Sequence, residues 1–174
     1  IHYDTLNILE GSYGITLREL ALFAEETYKK GDVLSPAEKA ISVIMFKLHG
    51  QLIMRHPEFD MANRLLLERI DLSHGEHGKV NINGKDYDLT TKDLPTLDHD
   101  HPYELTPAER HVMDSLVDSF TNSRRLQRHV TFLYEQGSMY LAYNGNLLFH
   151  GCIPMREDGS FRPVRMGENR HLAG

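Results

Sequence analysis

The spacing of apolar and polar positions predicts a helix near the start of the chain. Residues 16–19 read Thr-Leu-Arg-Glu, a capping box in which the Thr hydroxyl and the Glu carboxylate satisfy backbone N–H groups at a helix start. Apolar residues then recur at helical spacing as far as Tyr28. Lys29-Lys30-Gly31 follows, with the cations and the glycine that are typical of a helix end. We therefore expect the helix to end at Gly31.

A second capping box, Ser35-Pro36-Ala37-Glu38, predicts the next helix, with proline at a first helical position where no N–H donor is needed. Four apolar residues at helical spacing form the stripe that we expect to be buried: Ile41, Ile44, Leu48 and Leu52. We expect this helix to end near His56-Pro57. A shorter helix is predicted from Phe59 to Ile70.

The period of the apolar residues changes between Lys79 and Leu89, where we expect a small hairpin around Asn83-Gly84. Both central positions of its turn require positive φ, which Asn and Gly adopt readily. Two strands alone are marginally stable, so we expect the hairpin to lie against a helix or another domain. Residues 90–105 predict a loop. A third capping box, Thr106-Pro107-Ala108-Glu109, opens the longest predicted helix, which runs to about Gln136 with a break near 121–123.

After Gly137 the pattern is that of strands. Residues 139–143 and 147–149 flank Asn144-Gly145-Asn146 and predict a second hairpin. Its last strand is a continuous apolar run, which is typical of a strand buried on both faces. The upstream helices could cover one face, and we expect the other face to need sequence that is absent here.

Composition restricts the class of protein. The chain has 174 residues, 40% hydrophobic and 25% charged, as in an ordinary soluble domain with a core. Its net charge of −6 argues against nucleic-acid binding, which needs clustered cations. The single cysteine, Cys152, allows no intrachain disulfide, which fits a cytoplasmic protein. The sequence has no apolar stretch of about 18 residues, so we expect no membrane-spanning segment. Because the chain begins with Ile1 rather than Met, we expect an internal fragment of a longer protein.

One histidine follows a strand at a position where ligand sites form. His150 comes directly after the apolar run 147–149 and precedes Gly151, so we expect its imidazole at the C-terminal end of a strand. Neutral imidazole is a common ligand of Mn, Fe or Zn. The alternative is a histidine that caps the strand, and spacing alone favours that alternative. Cys152 suggests a Cys/His nucleophile, but nothing obvious in the sequence orients a base for it.

The run 147–155, Leu-Leu-Phe-His-Gly-Cys-Ile-Pro-Met, continues into Glu157-Asp158-Gly159-Ser160-Phe161. Together these residues resemble the class 3 fructose-1,6-bisphosphatases of Firmicutes and related bacteria. Residues 14–18, 20–24 and 64–67 extend the resemblance over essentially the whole chain. More distantly, Phe149-His150-Gly151 is similar to the His-Gly-Gly motif of calcineurin-like phosphatases, in which the histidine binds one ion of a dinuclear centre.

The resemblance implies a phosphatase that hydrolyses fructose 1,6-bisphosphate to fructose 6-phosphate and phosphate in gluconeogenesis, usually with Mn²⁺. Two bridged ions would polarise the phosphoryl group and lower the pKa of the attacking water. Only His150 matches a ligand motif of this metallophosphoesterase superfamily, because the Asp-x-His, Gly-Asp-x-x-Asp-Arg-Gly, Gly-Asn-His and late Gly-His motifs are missing. We therefore expect no complete catalytic set and an inactive isolated chain.

The implied fold is an α+β fragment in two parts. Residues 1–136 would be a helix-rich, family-specific insertion with the hairpin near 79–89, and residues 137–174 would be strands of a calcineurin-like α/β sandwich. The implied partners are a sugar bisphosphate and the rest of the parent chain, without nucleic acid or membrane. Exposed strand edges also predict self-association. The alternative function is a self-contained helical binding or regulatory module without catalysis.

Other polar clusters suit a ligand less well. Residues 74–77 (His-Gly-Glu-His) and 98–101 (Asp-His-Asp-His) have the composition of metal sites, but both fall in predicted loops, where polar surface is the commoner interpretation. Arg162, Arg165 and Arg170 could bind a sugar phosphate through their guanidinium groups. Solvated charge is the ordinary role of arginines that flank a strand.

Overall fold

The computed structural model describes residues 7–74, 76–149, 151, 154–166 and 170–172. Over these residues the chain is α+β, as predicted, with α-helices and small antiparallel sheets. It divides into two compact units, a first unit (Ile1–Ser123) and a second unit (Arg124–Gly174). The α-helices of the described residues are α1 (Arg18–Thr27), α2 (Pro36–Arg55), α3 (Pro107–Asn122) and α4 (Arg124–Gln136).

The capping boxes of α2 and α3 are confirmed. Ser35 Oγ accepts the Glu38 N–H at 3.3 Å, and the Glu38 carboxylate accepts the Ser35 N–H at 2.9 Å. Thr106 and Glu109 form the same reciprocal pair, at 3.2 and 2.8 Å. Each pair satisfies two of the N–H groups that a helix start leaves without intrahelical partners.

The predicted capping box at α1 is wrong. α1 begins at Arg18, and the side chain of its N-cap residue, Leu17, makes no capping hydrogen bond. The Thr16 hydroxyl accepts the Arg18 N–H at 3.2 Å, while the Thr16 N–H donates to Ser119 Oγ at 2.9 Å. The Thr16 N–H, which Glu19 was expected to satisfy, is thus bonded to a residue 103 positions away along the chain.

The end of α1 also differs from the prediction, because the helix stops at Thr27 and not at Gly31. Tyr28 is extended, with ψ 144°, and its hydroxyl shares a hydrogen bond of 3.1 Å with Thr96 Oγ1. Burial raises the pKa of Tyr28 to about 12. The helix therefore ends before Tyr28, and the tyrosine side chain packs into the core.

The helix predicted from Phe59 to Ile70 is absent. The segment forms three separate 3₁₀ turns, Pro57–Phe59, Ala62–Arg64 and Leu67–Arg69. Asp60 has φ 50°, in the left-handed region. A right-handed helix cannot pass through a residue in that conformation, so the segment breaks into short turns.

The first hairpin is confirmed and belongs to a three-stranded sheet. β2 (Lys79–Ile82) pairs with both β1 (Ile70–Asp71) and β3 (Lys85–Asp88) in antiparallel register. Asn83 and Gly84 have φ of 52° and 82°, as the two positions of a type I′ turn require. The added strand β1 covers one edge of the hairpin.

The core of the first unit lies between α1, α2 and α3. Its buried cluster consists of Leu20, Phe23, Ala24, Tyr28, Ala40, Ile44, Leu105 and Val112. The predicted stripe on α2 is therefore only partly right. Ile44 is buried and Ile41 and Leu48 pack partly against the cluster, but Leu52 remains 43% exposed.

Two lysines occupy the buried face of α2 instead. Lys47 Nζ lies 2.7 Å from both Glu109 Oε2 and the Thr96 carbonyl oxygen, and Lys47 and Glu109 are fully buried. Lys39 Nζ donates to Asp93 Oδ2 at 2.5 Å. Because lysines eight residues apart share a helix face, one face of α2 binds the loop that contains Asp93 and the first turn of α3 through charge.

The second unit contains α4 and two strand pairs. The helix break predicted near 121–123 is confirmed, since α3 ends at Asn122 and α4 begins at Arg124. α2, with 20 residues, is consequently longer than either. The strands are β4 (Tyr140–Tyr143), β5 (Asn146–Phe149), β6 (Val164–Met166) and β7 (Arg170–Leu172), paired as β4-β5 and β6-β7. The predicted division of the chain after residue 136 stays a prediction.

Within the described part of the chain, no helix combines the length and apolar composition that a membrane crossing requires.

Candidate functional site

The β4-β5 hairpin leads directly into the segment that carries His150. Its register pairs Tyr140 with Phe149 and Tyr143 with Asn146, around a turn in which Asn144 and Gly145 have φ of 54° and 76°. The predicted second hairpin is thus confirmed, with a two-residue type I′ turn. The ladder fixes the backbone up to Phe149, while His150 itself lies outside the described residues.

Both strands of this hairpin are exposed. Leu147, Leu148 and Phe149 expose 61%, 54% and 62% of their surface, and every other residue of β4 and β5 is also exposed. The expectation that β5 is a strand buried on both faces is therefore not met by the described residues. Apolar side chains on both faces of the hairpin remain available to another surface.

The residues after His150 form a tight turn between Met155 and Phe161, which share a β-bridge. Gly159 has φ 80° at the tip of this turn. The Asp158 carboxylate accepts hydrogen bonds from the Ser160 N–H at 2.9 Å and the Ser160 hydroxyl at 2.6 Å, which lower the pKa of Asp158. Asp158 therefore holds its own turn together.

The cluster at residues 74–77 lies in an exposed loop, as predicted. His74 Nδ1 lies 2.6 Å from Asp71 Oδ2, and His77 Nε2 lies 3.9 Å from Glu76 Oε1. Hydrogen bonds from Ser73 and then His74 lower the pKa of Asp71 to about 2. The two histidines pair with different carboxylates, so this loop does not gather its side chains around one point.

The cluster at residues 98–101 is likewise an exposed loop. Asp98 Oδ1 accepts the backbone N–H of Asp100 at 2.9 Å and that of His101 at 3.4 Å. His101 Nδ1 lies 3.7 Å from the other oxygen of Asp98. These contacts form a turn in which the aspartate binds the backbone, which also lowers the pKa of Asp98.

Over the described ranges, the structure brings together no group of three or more His, Cys, Asp or Glu side chains that could hold a metal ion. Of the other candidates, Cys152 lies outside the described residues. Arg162 is exposed, and its N–H donates to the Pro154 carbonyl at 2.8 Å. The backbones of Arg165 and Arg170 belong to β6 and β7.

Sequence reasoning missed the charges on α2. Lys39 and Lys47 share a helix face with buried Val43, which lies four residues from each. A lysine in register with an apolar stripe is the signal that could have identified them. Their partners Asp93 and Glu109 are 54 and 62 residues away, so no local pattern predicts the pairing.

The family model of Firmicute fructose-1,6-bisphosphatase matches residues 1–174. Curated relatives named fructose-1,6-bisphosphatase class 3 include that of Listeria innocua, 48% identical and covering 96% of this chain. Those of Listeria monocytogenes and Clostridium botulinum are 46% and 45% identical, over 94% and 95% of the chain.

These relatives are much longer than the chain, which spans 28% of the two Listeria proteins and 27% of the Clostridium protein. No solved structure matches the chain. The family match nevertheless extends over every residue of the chain, and the predicted resemblance is confirmed. The chain belongs to the Firmicute fructose-1,6-bisphosphatase family.

Proposed function

We propose that this chain is part of a phosphatase that hydrolyses fructose 1,6-bisphosphate to fructose 6-phosphate and phosphate, a reaction of gluconeogenesis in the cytoplasm. The observation that carries the proposal is the 48% identity to a class 3 fructose-1,6-bisphosphatase over 96% of the chain. In this proposal, groups outside the chain complete the catalytic set.

Within this proposal, His150 supplies one imidazole ligand to a dinuclear Mn²⁺ centre. The β4-β5 ladder supports this role of His150, because the paired strands fix the backbone as far as Phe149, the residue before it. The described residues do not fit a metal ion by themselves, since they provide no group of three ligands. When bound, the ions would stabilise charge on the phosphoryl group. We therefore expect the isolated chain to bind Mn²⁺ weakly, and submicromolar, His150-dependent binding by calorimetry would contradict this.

The hairpin is proposed to belong to the sheet of a calcineurin-like α/β sandwich. The continuous apolar run 147–149, exposed on both faces of the hairpin, supports this placement. A strand of that composition is stable when both faces are covered. In this proposal, other parts of a longer protein cover both faces of the hairpin.

The experiment is a phosphatase assay on the longer protein that contains this chain, with fructose 1,6-bisphosphate and Mn²⁺. We expect His150→Ala to lower kcat by about 10²-fold or more, as is typical when one preorganised electrostatic contact is lost. Folding should change little, because the apolar strand residues remain. Cys152→Ser is the matched control two residues away and should keep its turnover.

The assay also separates the alternatives. A nearly wild-type His150→Ala enzyme would make this histidine structural, and an inactive Cys152→Ser enzyme would restore the nucleophile hypothesis. The second candidate function, a helical binding module without catalysis, is favoured by the separate core of the first unit. A longer protein that folds and binds Mn²⁺ but hydrolyses no sugar phosphate would support that candidate.

A further inference from the structure

Helix α2 carries apolar residues on its exposed face as well as on the face that packs into the core. Ala40, Val43 and Ile44 are buried, whereas Met45 and Leu52 remain 55% and 43% exposed. A surface helix of a globular domain ordinarily presents polar residues on the side away from its core. The exposed face of α2 therefore has the composition of a second contact surface.

The apolar residues of this face follow the spacing of a coiled coil. They are four, three and four residues apart, and they are Ile41, Met45, Leu48 and Leu52, here named the α2 stripe. This alternation is that of the a and d positions of a heptad. Ile41 and Leu48 also pack partly against the core, so they stand at the border between the core and the exposed face. The α2 stripe can therefore meet a second helix without disturbing the buried cluster.

The spacing of the α2 stripe reads the same in both directions along the helix. When a second copy of α2 lies antiparallel to the first, with the centre of the pair between residues 46 and 47, Met45 faces Leu48 of the second copy. In the same register Ile41 faces Leu52 of the second copy. Such a contact is isologous, because the same surface is used by both copies. The stripe is therefore complementary to itself.

Charges at the two ends of the stripe fit the same register. Glu38 and Arg55 continue the heptad by one position in each direction, so the antiparallel pair places the acid of one copy beside the cation of the other at both ends. Arg55 is exposed, and its Nε donates to the Gln51 carbonyl at 3.2 Å, which uses one of its five donors. Glu38 keeps its hydrogen bonds from Ser35, since a carboxylate has about four acceptor sites. A parallel pair would instead place like charges together, so charge favours the antiparallel orientation.

We propose that a second copy of this chain docks on the α2 stripe in antiparallel orientation. One helix face is smaller than the roughly 800 Å² per partner of a standard interface, so the dimer is weak. This contact is separate from the β4-β5 hairpin, which belongs to the second unit. It does not depend on the phosphatase activity or on His150, so either proposal can fail without the other.

Single-cysteine variants of the full chain test the register. Each carries Cys152→Ser, so that the introduced thiol is the only one. At a rise of about 1.5 Å per residue, the two copies of residue 45 lie about 5 Å apart along the helix axes, and those of residue 52 about 17 Å apart. We expect a short bismaleimide to crosslink Met45→Cys into a dimer and to leave Leu52→Cys monomeric. Met54→Cys should also stay monomeric, because Met54 is 52% exposed on the same helix but lies outside the stripe.

Sedimentation equilibrium gives a second measurement, in a Leu148→Thr background that weakens the hairpin contact. The salt concentration is about 0.15 M, where a Debye length of about 8 Å limits the repulsion between two copies of net charge −6. Met45→Glu should lower the association constant about tenfold or more, because it places a carboxylate against Leu48 of the second copy. Met54→Glu is the matched control and should stay within about twofold. Circular dichroism verifies that both variants keep their fold.

The proposal is overturned if Met45→Cys gives no crosslinked dimer, or if Met45→Glu and Met54→Glu weaken association equally. Crosslinking of Leu52→Cys as fast as that of Met45→Cys would indicate a parallel pair and would also overturn it. The longer protein decides between a second copy and its own chain as the occupant. If Met45→Cys in that protein resists maleimide labelling and yields no dimer, other parts of the longer chain cover the stripe, and the proposal is wrong.

Discussion

The two units of the chain differ in where their apolar residues lie. In the first unit, α1, α2 and α3 enclose a cluster of buried side chains and two buried lysines with their partners. In the second unit, every residue of β4 and β5 is exposed. The first unit therefore has a buried core of its own, although it also exposes apolar side chains such as Val33 and Val117, whereas β4 and β5 contain no buried residue.

Charge follows the same division. Residues 1–123 carry a net charge of −9, while residues 124–174 contain 7 Lys and Arg against 4 Asp and Glu, a net charge of +3. The acidic first unit has the composition of a solvated domain around its own core. The second unit exposes the apolar and aromatic side chains of β4 and β5, which is typical of a surface that meets another surface. The comparison predicts that substitutions in the core of the first unit will act on stability and substitutions in the hairpin on association.

The largest expected effect is on the buried ion pair of the first unit. Lys47→Met removes the cation and leaves the Glu109 carboxylate buried, where its Oε1 already has no hydrogen-bond partner among the described atoms. Breaking a buried pair in this way should cost about 3–5 kcal/mol of unfolding free energy. Urea denaturation of the full chain, followed by circular dichroism, measures the change.

The double variant K47M/E109Q tests the cause. Glutamine can still accept the Thr106 N–H in the capping box, and it leaves no buried charge. We expect it to recover much of the lost stability, as a double-mutant cycle would show. Lys85→Met on the exposed strand β3 is the control. Equal losses in K47M and K47M/E109Q would show that the charge of Glu109 is not the cause.

Local sequence signals predicted the features of the fold that depend on neighbouring residues. The two capping boxes at 35–38 and 106–109 and both Asn-Gly hairpins are confirmed, because four or fewer residues determine each of them. The break near Ser123 is confirmed for the same reason. Family membership was also readable from sequence, through the run that contains His150.

The features that sequence did not predict depend on distant contacts. The Thr16 N–H donates to Ser119 and not to Glu19, so the expected capping box does not form. Tyr28 lies outside α1, and its hydroxyl forms a hydrogen bond with Thr96. The carboxylate partners of the two buried lysines of α2 are 54 and 62 residues away. The candidate site is limited in the same way, because one histidine at a strand end cannot indicate ligands that other parts of a longer protein would supply.

The second prediction tests how tightly the first unit is packed. A Cβ on Gly50 would lie 2.1 Å from Cδ1 and 2.3 Å from Cε1 of the buried Tyr103 ring. The Gln51 side chain donates to the Tyr103 carbonyl at 2.7 Å and restrains the backbone there. Overpacking should outweigh the gain in helix propensity, so we expect Gly50→Ala to destabilise the chain by about 1–2 kcal/mol.

Thermal unfolding measures the Gly50→Ala effect. Gly11→Ala is the matched control, because a Cβ at Gly11 meets nothing within 4 Å. The variant Gly50→Ala/Tyr103→Leu, with a smaller side chain opposite the new methyl group, should lose less than the sum of the two single changes. A melting temperature unchanged by Gly50→Ala alone would mean that the ring moves freely, and the first unit would be less tightly packed than its buried cluster indicates.

The third prediction concerns the exposed hairpin. Leu148 lies opposite Leu141 in the register, and both are more than half exposed. We expect Leu148→Thr to change stability by less than about 0.5 kcal/mol, because little burial is lost and threonine suits a strand. We also expect the wild-type chain to self-associate through this hairpin and the variant to do so less, as sedimentation velocity over a concentration series would show.

Val117→Thr is the control for the hairpin, since Val117 is an exposed apolar residue on α3 of the first unit. It should leave self-association unchanged. A wild-type chain that stays monomeric at all concentrations would contradict the prediction. Equal loss of association in both variants would place the contact surface on both units and would remove the contrast between them.

The smallest expected effect is electrostatic and lies on the exposed sheet of the first unit. The folded-state pKa of Asp71 is about 2, below its usual value of 3.8, because Ser73 and His74 donate hydrogen bonds to its carboxylate. A depressed pKa means that the stabilisation is present above about pH 4 and is lost as the pH falls toward 2. Asp71→Asn should therefore lower the urea midpoint slightly at pH 6, and this difference from the wild type should shrink at pH 3. Asp114→Asn, at an exposed carboxylate of α3, corrects for the general change in charge. If the difference caused by Asp71→Asn is the same at both pH values, the carboxylate does not stabilise this loop through its charge.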